Sequence, residues 1–358
     1  MTLATVHFYF LFINLLLLLG IFSPGASLTV TMSTGSAQRS SQYYSTFVEK
    51  LPSMAGKSVV VTGCSKGLGF VTAKALAEKG ATVYMLNRKS VRSDEARATI
   101  AAATAGSSTP PPQVIECDLL DFASVKRAAL EIRERATDGI DVLCNSAGIM
   151  LQLDESSTDG YDITASTNVL SHFLLTKELM PELEKAASAR GEARIVNMSS
   201  GSGYGAPAFN LAFFERRGGN CGGPKASYER YHQSKLANLA FTSALDDRLR
   251  AKGSSIKALA CTPGVCGTDM FVHASSVMNG QPSPRDMVPS VEDGCLAQLK
   301  CICDPTVESG ELWGPKMGSR VGMEPSKVEI APPTVLVDKN VKDELWNVCE
   351  QAVGSFKL

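Results

Sequence analysis

The chain has 358 residues, 44% of them hydrophobic and 20% charged, with 35 Lys+Arg against 36 Asp+Glu. That composition belongs to a globular protein with a sizeable core, and the balanced charge leaves no basic face for nucleic acid or an anionic surface. The ten cysteines include no Cys-x-x-Cys pair and no zinc-like Cys/His spacing, and several sit in apolar runs such as "IDVLCN" and "IKALACT". They read as buried free thiols in a reducing surrounding rather than as a disulfide framework or a metal site.

Residues 6–22, "VHFYFLFINLLLLLGIF", are interrupted only by His7, Asn14 and Gly20 and end at the turn-forming "SPGAS". The run is long for a signal-peptide core and short for a membrane span, and no Lys or Arg precedes it. Residues 1–26 are therefore expected to be a signal peptide or a retained signal anchor, the latter associating with a membrane through residues 6–22. Residues 27–55 begin Ser/Thr-rich, with one Arg and no acid up to Phe47, which is linker or transit-like composition. In tandem, the two pieces resemble the bipartite leader of plastid proteins in algae with complex plastids. The resemblance implies entry into the secretory pathway, with the endoplasmic reticulum membrane or a plastid as destination. The folded domain is expected to span residues 56–358.

From Lys57 onward, strand-like apolar runs alternate with helical patterns. "KSVVVTG" (57–63) predicts a strand ending in Gly, and "FVTAKALAEKG" (70–80) a helix with a Gly stop. "ATVYMLN" (81–87) and "QVIECD" (113–118) predict two more strands around the Ala-rich helix 93–106, with "SSTPPP" as the breaker. A helix at 122–136 precedes the strand "IDVLCNSAG" (140–148), and a long helical stretch (161–190) precedes "ARIVNMSS" (193–200). A helix at 226–252 precedes "SIKALACTPG" (255–264). Apolar strands separated by helices indicate a parallel sheet covered on both faces: an α/β, doubly wound, Rossmann-type single domain. Two irregular stretches, 201–226 and about 267–290, interrupt it, and loops that long in a compact domain are usually functional or mobile.

"VTGCSKGLG" sets Gly63, Gly67 and Gly69 in the turn between the first strand and first helix. Glycines let the backbone approach a pyrophosphate, and the helix N-terminus offers unpaired N–H groups and a positive dipole end. The spacing T-G-x-x-x-G-x-G resembles the short-chain dehydrogenase/reductase family, in the branch with a three-residue gap. That resemblance implies a nicotinamide cofactor held by Thr62, Gly63, Ser65, Lys66, Gly67, Leu68 and Gly69. An NAD enzyme of this fold carries an acid at the end of the second strand, for the ribose 2′-OH. "YMLNRKS" has Arg88 and Lys89 there instead, and Lys66 adds a cation close by, which argues for NADP(H). The resemblance further implies that Asp118 and Leu119 meet the adenine. It also implies that Asn145, Ala147 and Gly148 of "NSAG" meet the nicotinamide half, Ser146 departing from the family's second Asn.

In "SYERYHQSKLANL", Tyr231 and Lys235 are four apart, one above the other on a helix face, whereas Tyr228 has no Lys at that spacing. A phenol has a pKa of about 10, so a proton-transfer role requires a neighbouring cation to lower it by roughly 2–3 units. The pair gains meaning from order along the chain. Ser200 ends "RIVNMSS", where the family places the serine that hydrogen-bonds the substrate oxygen. Asn168 of "TNVLSHFLLT" matches the Asn that holds a relay water, and Pro263, Gly264 and Thr268 of "TPGVCGT" match the segment embracing the nicotinamide. The implied catalytic set is Ser200, Tyr231, Lys235 and Asn168. Tyr228, His172 and His232 are read as packing or lining residues.

The gap between Ser200 and Tyr231 makes residues 201–226 an insertion. Together with "YHQSKLANLAFT", "GELWG" (310–314) and "DELWNVCEQAVG" (343–354), it resembles the retinol dehydrogenase group and its relatives, which include light-dependent protochlorophyllide reductases. The resemblance covers about residues 57–355. It implies an NADP(H)-dependent oxidoreductase acting on a carbonyl or alcohol of a bulky apolar small molecule. A protochlorophyllide-type ring reductase and a non-enzymatic NADP-binding regulator are the alternatives. Nothing in the sequence indicates an oligomeric state.

Overall fold

The computed structural model describes residues 38–205, 208–316, 324–328 and 338–358. The apolar run at 6–22 and the leader up to residue 37 lie outside the described residues, so the expectations placed on them have no structural counterpart here. Residues 38–55 belong to the stretch expected to be linker, yet helix α1 (Tyr44–Lys50) forms there and docks on the domain. The Asp293 carboxylate accepts from the backbone N–H groups of Gln42, Tyr43 and Tyr44 at 2.8, 2.9 and 3.1 Å, supplying donors at a helix start with an anion. Leu51 and Met54 follow into the core.

Strands β1 (Ser58–Thr62), β2 (Thr82–Asn87), β3 (Gln113–Glu116), β4 (Val142–Asn145), β5 (Ala193–Met198), β6 (Ile256–Cys261), β7 (Leu312–Pro315) and β8 (Pro325–Lys327) form one sheet in the order 3-2-1-4-5-6-7-8. All pairings are parallel except β7 with β8. This is the doubly wound α/β sheet expected from the apolar runs, with crossover helices α2 (Gly67–Glu78), α3 (Val91–Ala103), α4 (Phe122–Arg135), α5 (Ile163–Ala165), α6 (Ser171–Arg190) and α7 (Ser227–Ala251). Helices α8 (Asp269–Asn279), α9 (Val291–Gly294), α10 (Leu296–Cys303) and α11 (Lys339–Val353) complete the described set.

Successive strand residues face opposite ways, which splits the core in two. Val60, Leu143 and Ile195 enter the cluster under α4, α6, α7 and α11, while Val59, Val61, Cys144 and Val196 enter the one under α2, α3 and α10. All ten cysteines are buried free thiols. The long helical stretch of 161–190 is broken where the sequence shows no break: α5 runs into a π-helical turn at Ser166–Leu170 before α6. Such turns are rare and concentrate at functional sites. Among the described residues no helix is long and apolar enough to cross a membrane.

Candidate active site

The parallel strands all end on one edge, and the switch point between β1 and β4 lies where the glycine loop leaves β1. The loop is a cradle that side chains would fill. A Cβ on Gly69 would lie 2.5 Å from Gly63 O, and one on Gly63, whose φ is +74°, would lie 3.0 Å from Ala147. Gly67 opens α2 with φ +63° and has only Thr268 Cγ2 nearby, at 3.9 Å. These features fit a pyrophosphate against the first N–H groups of α2. Asn87, at the end of β2, fixes the loop by accepting from Cys64 N at 2.7 Å.

Thr62 connects this cradle to the next strand end. Its Oγ1 accepts from Ser146 N and Ala147 N, both at 2.9 Å, and lies 2.9 Å from His172 Nε2. With both lone pairs taken, the hydroxyl hydrogen goes to His172 Nε2. That assigns the Nδ1–H tautomer, which donates to Asn168 O at 3.2 Å. Burial lowers the His172 pKa to about 4, so the ring is a neutral bridge between glycine loop and π-helical turn.

Asn168, in the π-helical turn, is fully buried. Its Oδ1 accepts from Ile149 N at 2.9 Å, and its Nδ2 donates to Ile149 O at 3.0 Å and Ser234 Oγ at 2.9 Å. A Cβ on Gly148 would be 3.4 Å from both Asn168 Oδ1 and Lys235 Nζ, so those two side chains meet over the "NSAG" segment. Ser199 and Ser200 separate cleanly. Ser199 Oγ donates to Lys235 O at 2.8 Å within the packing, whereas Ser200 hydrogen-bonds the Tyr231 hydroxyl. Thus Ser200 after β5, Tyr231 and Lys235 on α7, and Asn168 in the π-helical turn come together from three separate segments beside the glycine cradle.

Electrostatics differ from the expectation for Tyr231. Burial pushes its pKa up to about 12, with the Ser200 hydrogen bond pulling the other way, so the phenol is protonated. Lys235 is not what sets it: Nζ lies over the Tyr231 ring, 5.8 Å from its centroid, and donates to Met198 O at 2.9 Å. Burial lowers the Lys235 pKa to about 8. Tyr228 packs against His232, with ring centroids 4.1 Å apart and the planes tilted by 57°, as a lining pair.

Other expected cofactor contacts vary. Asp118 accepts from Leu120 N at 3.0 Å, and Leu119 O receives the Ser166 and Ser171 hydroxyls, fixing the loop after β3. The Asn145 side chain lies away from the cradle, donating to Asn197 Oδ1 at 2.8 Å and Thr176 Oγ1 at 3.2 Å, so it braces β4 against β5. Gly264, at φ +67°, turns beside Pro263, and Thr268 caps α8 by accepting from Phe271 N at 3.3 Å. Ser65 is half-buried in the loop, Leu68 packs on the other core cluster, and Arg88 and Lys89 are exposed, without an ion-pair partner among the described residues. Lys66, expected to add a cation beside the cofactor, is paired with Asp269.

Several participants have no local signal. Met270 of α8 places Sδ 4.0 Å from the Tyr231 hydroxyl. Leu151, at the left-handed φ of +55°, accepts through its carbonyl from His273 at 3.2 Å, a strained residue at the mouth of the site. Arg230, directly before Tyr231, has no side-chain exposure. It pairs with the equally buried Asp162 at 3.1 Å, whose carboxylate caps α5 through Thr164 N and Ala165 N. One guanidinium thereby ties the helix bearing Tyr231 to the segment bearing Asn168.

The family model described as short chain dehydrogenase matches residues 57–212. The chain is 32% identical to a short-chain dehydrogenase/reductase of Armillaria gallica, over 80% of this chain and 89% of that one. It is 32% identical to retinol dehydrogenase 12 of Homo sapiens, over 84% and 87% of the respective chains. A solved structure of an uncharacterised protein from Mycobacterium paratuberculosis is similar at 33% identity and a TM-score of 0.68, covering 87% of this chain and 98% of that one.

Proposed function

The chain belongs to the short-chain dehydrogenase/reductase family of oxidoreductases, and we propose that it moves hydride between NADP(H) and the carbonyl or alcohol carbon of a bulky apolar small molecule. The observation that carries this reading is that Asn168 and Lys235 meet over Gly148, next to the glycine cradle, while Tyr231, one helical turn before Lys235, is met by Ser200. Bound there, the nicotinamide cofactor supplies or accepts the hydride. The residues do the rest. Tyr231, held protonated by burial, donates its hydrogen to the carbonyl oxygen during reduction, and Ser200 hydrogen-bonds the same oxygen. In the oxidative direction the phenol must lose its proton, and the Lys235 ammonium, which keeps N–H donors beyond the one given to Met198 O, stabilises the phenolate from the same helix. Asn168, fixed on both faces by Ile149, keeps that part of the wall from moving.

The NADP(H) preference rests on Arg88 and Lys89 standing where an acid would select NAD, with Lys66 of the glycine loop adding a cation close by. The apolar substrate class rests on the name of the human relative, retinol dehydrogenase 12, and on Met270 facing the Tyr231 hydroxyl. The oxidoreductase domain is taken as residues 56–358, preceded by a signal peptide or anchor at 1–26 and a further leader segment. Of the two destinations expected, the endoplasmic reticulum membrane is the one proposed, because none of the relatives above comes from an organism with plastids and two of them are eukaryotic.

The test is NADPH consumption by the purified full chain against long-chain aldehydes, apolar ketones and polyene aldehydes. Turnover that vanishes in Tyr231→Phe is the expected result. NADPH binding without turnover of any apolar carbonyl would overturn the enzymatic reading in favour of a cofactor-binding regulator.

A further inference from the structure

Helix α8 begins against the glycine loop, and its first residue gathers cations from three segments. Asp269 Oδ2 pairs with Lys66 Nζ of the glycine loop and lies 3.9 Å from Arg92 Nη1, in the first turn of α3. Its Oδ1 pairs with Arg285 Nη2, and Arg285 Nη1 donates to Gly267 O at 2.7 Å, so Arg285 is fixed within the same irregular stretch. Lys66 and Arg92 have no such local anchor. They converge on a single carboxylate oxygen, Asp269 Oδ2, one from the glycine loop and the other from the first turn of α3. The side chains of Lys66, Arg92 and Asp269 are 49%, 61% and 43% exposed, within reach of a ligand entering from solvent. Arg88 and Lys89, just beyond β2, extend the same positive rim.

We infer that Asp269 determines cofactor selection by acting as an internal anion. It holds Lys66 and Arg92 in the cofactor-free protein and is displaced by the 2′-phosphate of NADP(H), whereas NAD(H), which lacks that group, leaves the pairing in place. The inference rests on the NADP(H) reading above and adds Arg92 and Asp269 to the residues that decide it. Its physical basis is a difference in strength. An exposed ion pair shifts an equilibrium by only about fivefold or less. A phosphate monoester carries nearly two negative charges and three acceptor oxygens, and it can take hydrogen bonds from an ammonium and a guanidinium at once. The same helix carries Met270 against the Tyr231 hydroxyl, so release of Asp269 loosens the segment that covers the catalytic phenol in the free protein.

The experiment is titration of the full chain with NADPH and with NADH, followed by calorimetry or quenching of protein fluorescence rather than by activity. Asp269→Asn is expected to tighten NADPH by about two- to fivefold, the size of an exposed pair removed, and to leave NADH unchanged. Arg92→Gln is expected to weaken NADPH by a similar factor, again without effect on NADH. Equal tightening of both dinucleotides in Asp269→Asn would overturn the inference, because the carboxylate would then repel only the shared pyrophosphate. Weaker NADPH binding in that variant would also overturn it, because Asp269 would then be holding Lys66 in place for the phosphate. Wild-type protein that binds NADH in preference, with a ratio insensitive to both substitutions, sinks this inference and leaves the oxidoreductase reading standing. Protein that binds neither dinucleotide sinks both.

Discussion

Two stretches look alike in sequence, 201–226 and about 267–290, since both are long, irregular and rich in small residues. In the folded chain they are built in opposite ways. The first is stapled by side chains of the segments around it. Gln233 donates to Ala208 O at 2.8 Å and accepts from Asn210 N at 2.9 Å, while Arg230 donates to Cys221 O and Gly223 O. The Asp154 carboxylate accepts from Cys221 N and Gly223 N, and Phe213 and Phe214 enter the core. The second stretch touches the site through Asp269, Met270 and His273, and of its helix α8 only Ala274 and Ser275 are buried. An insertion is therefore not a lid because it is long or glycine-rich. What distinguishes the two is whether the ties are buried and multiple or exposed and ionic.

Breaking the buried ties is expected to cost most. Arg230→Met would strand the Asp162 carboxylate, whose side chain has no exposure, and remove donors from Cys221 O, Gly223 O and Gln152 O. Losing one partner of a buried pair costs about 3–5 kcal/mol. Thermal melting should show a drop of order 10 °C. A shift under a degree would mean that the insertion is not held through this residue.

A buried cation without such partners should behave in the opposite way. Lys235 has no carboxylate at ion-pair distance among the described residues, and its pKa is lowered to about 8 by burial. The unfolded chain binds that proton up to its ordinary range near 10.5, so below about pH 8 the lysine opposes folding. Lys235→Met is expected to stabilise the cofactor-free protein by about 1–3 kcal/mol at pH 7, while abolishing turnover. The advantage should shrink as pH rises from about 8 toward 10.5. Unchanged or lower stability at pH 7 would contradict the burial cost. Asp269→Asn closes the series, because removing exposed pairs should change folding stability by less than about 1 kcal/mol. A large drop in its melting temperature would put the second stretch in the same class as the first.

The sheet and its crossover helices were legible because apolar period and glycine stops are local properties of the chain. So were Gly63, Gly67 and Gly69, whose positions follow from one tight turn, and Tyr231 with Lys235, whose spacing is one helical turn. What was not legible depends on contacts far apart in the chain. Asp269 and Lys66 are separated by 203 positions, and Arg230 reads as an ordinary helix residue until Asp162 and Asp154 are brought to it. The π-helical turn at Ser166–Leu170 leaves no trace in "STNVL", since it is set by what Asn168 bonds to rather than by propensity. The Tyr231 pKa was expected to fall under the influence of Lys235. Burial decides it instead, with the lysine turned to Met198 O.

If Tyr231 moves the proton while the glycine cradle and the cations beside it hold NADP(H), cofactor binding and turnover separate at this one residue. The most direct measurement is NADPH affinity and NADPH-dependent turnover of one apolar aldehyde, compared between wild type and Tyr231→Phe. Affinity within about twofold and turnover lower by roughly 10²–10⁴ is the expected result, the range for loss of one positioned acid. Equal turnover in the two proteins would contradict it.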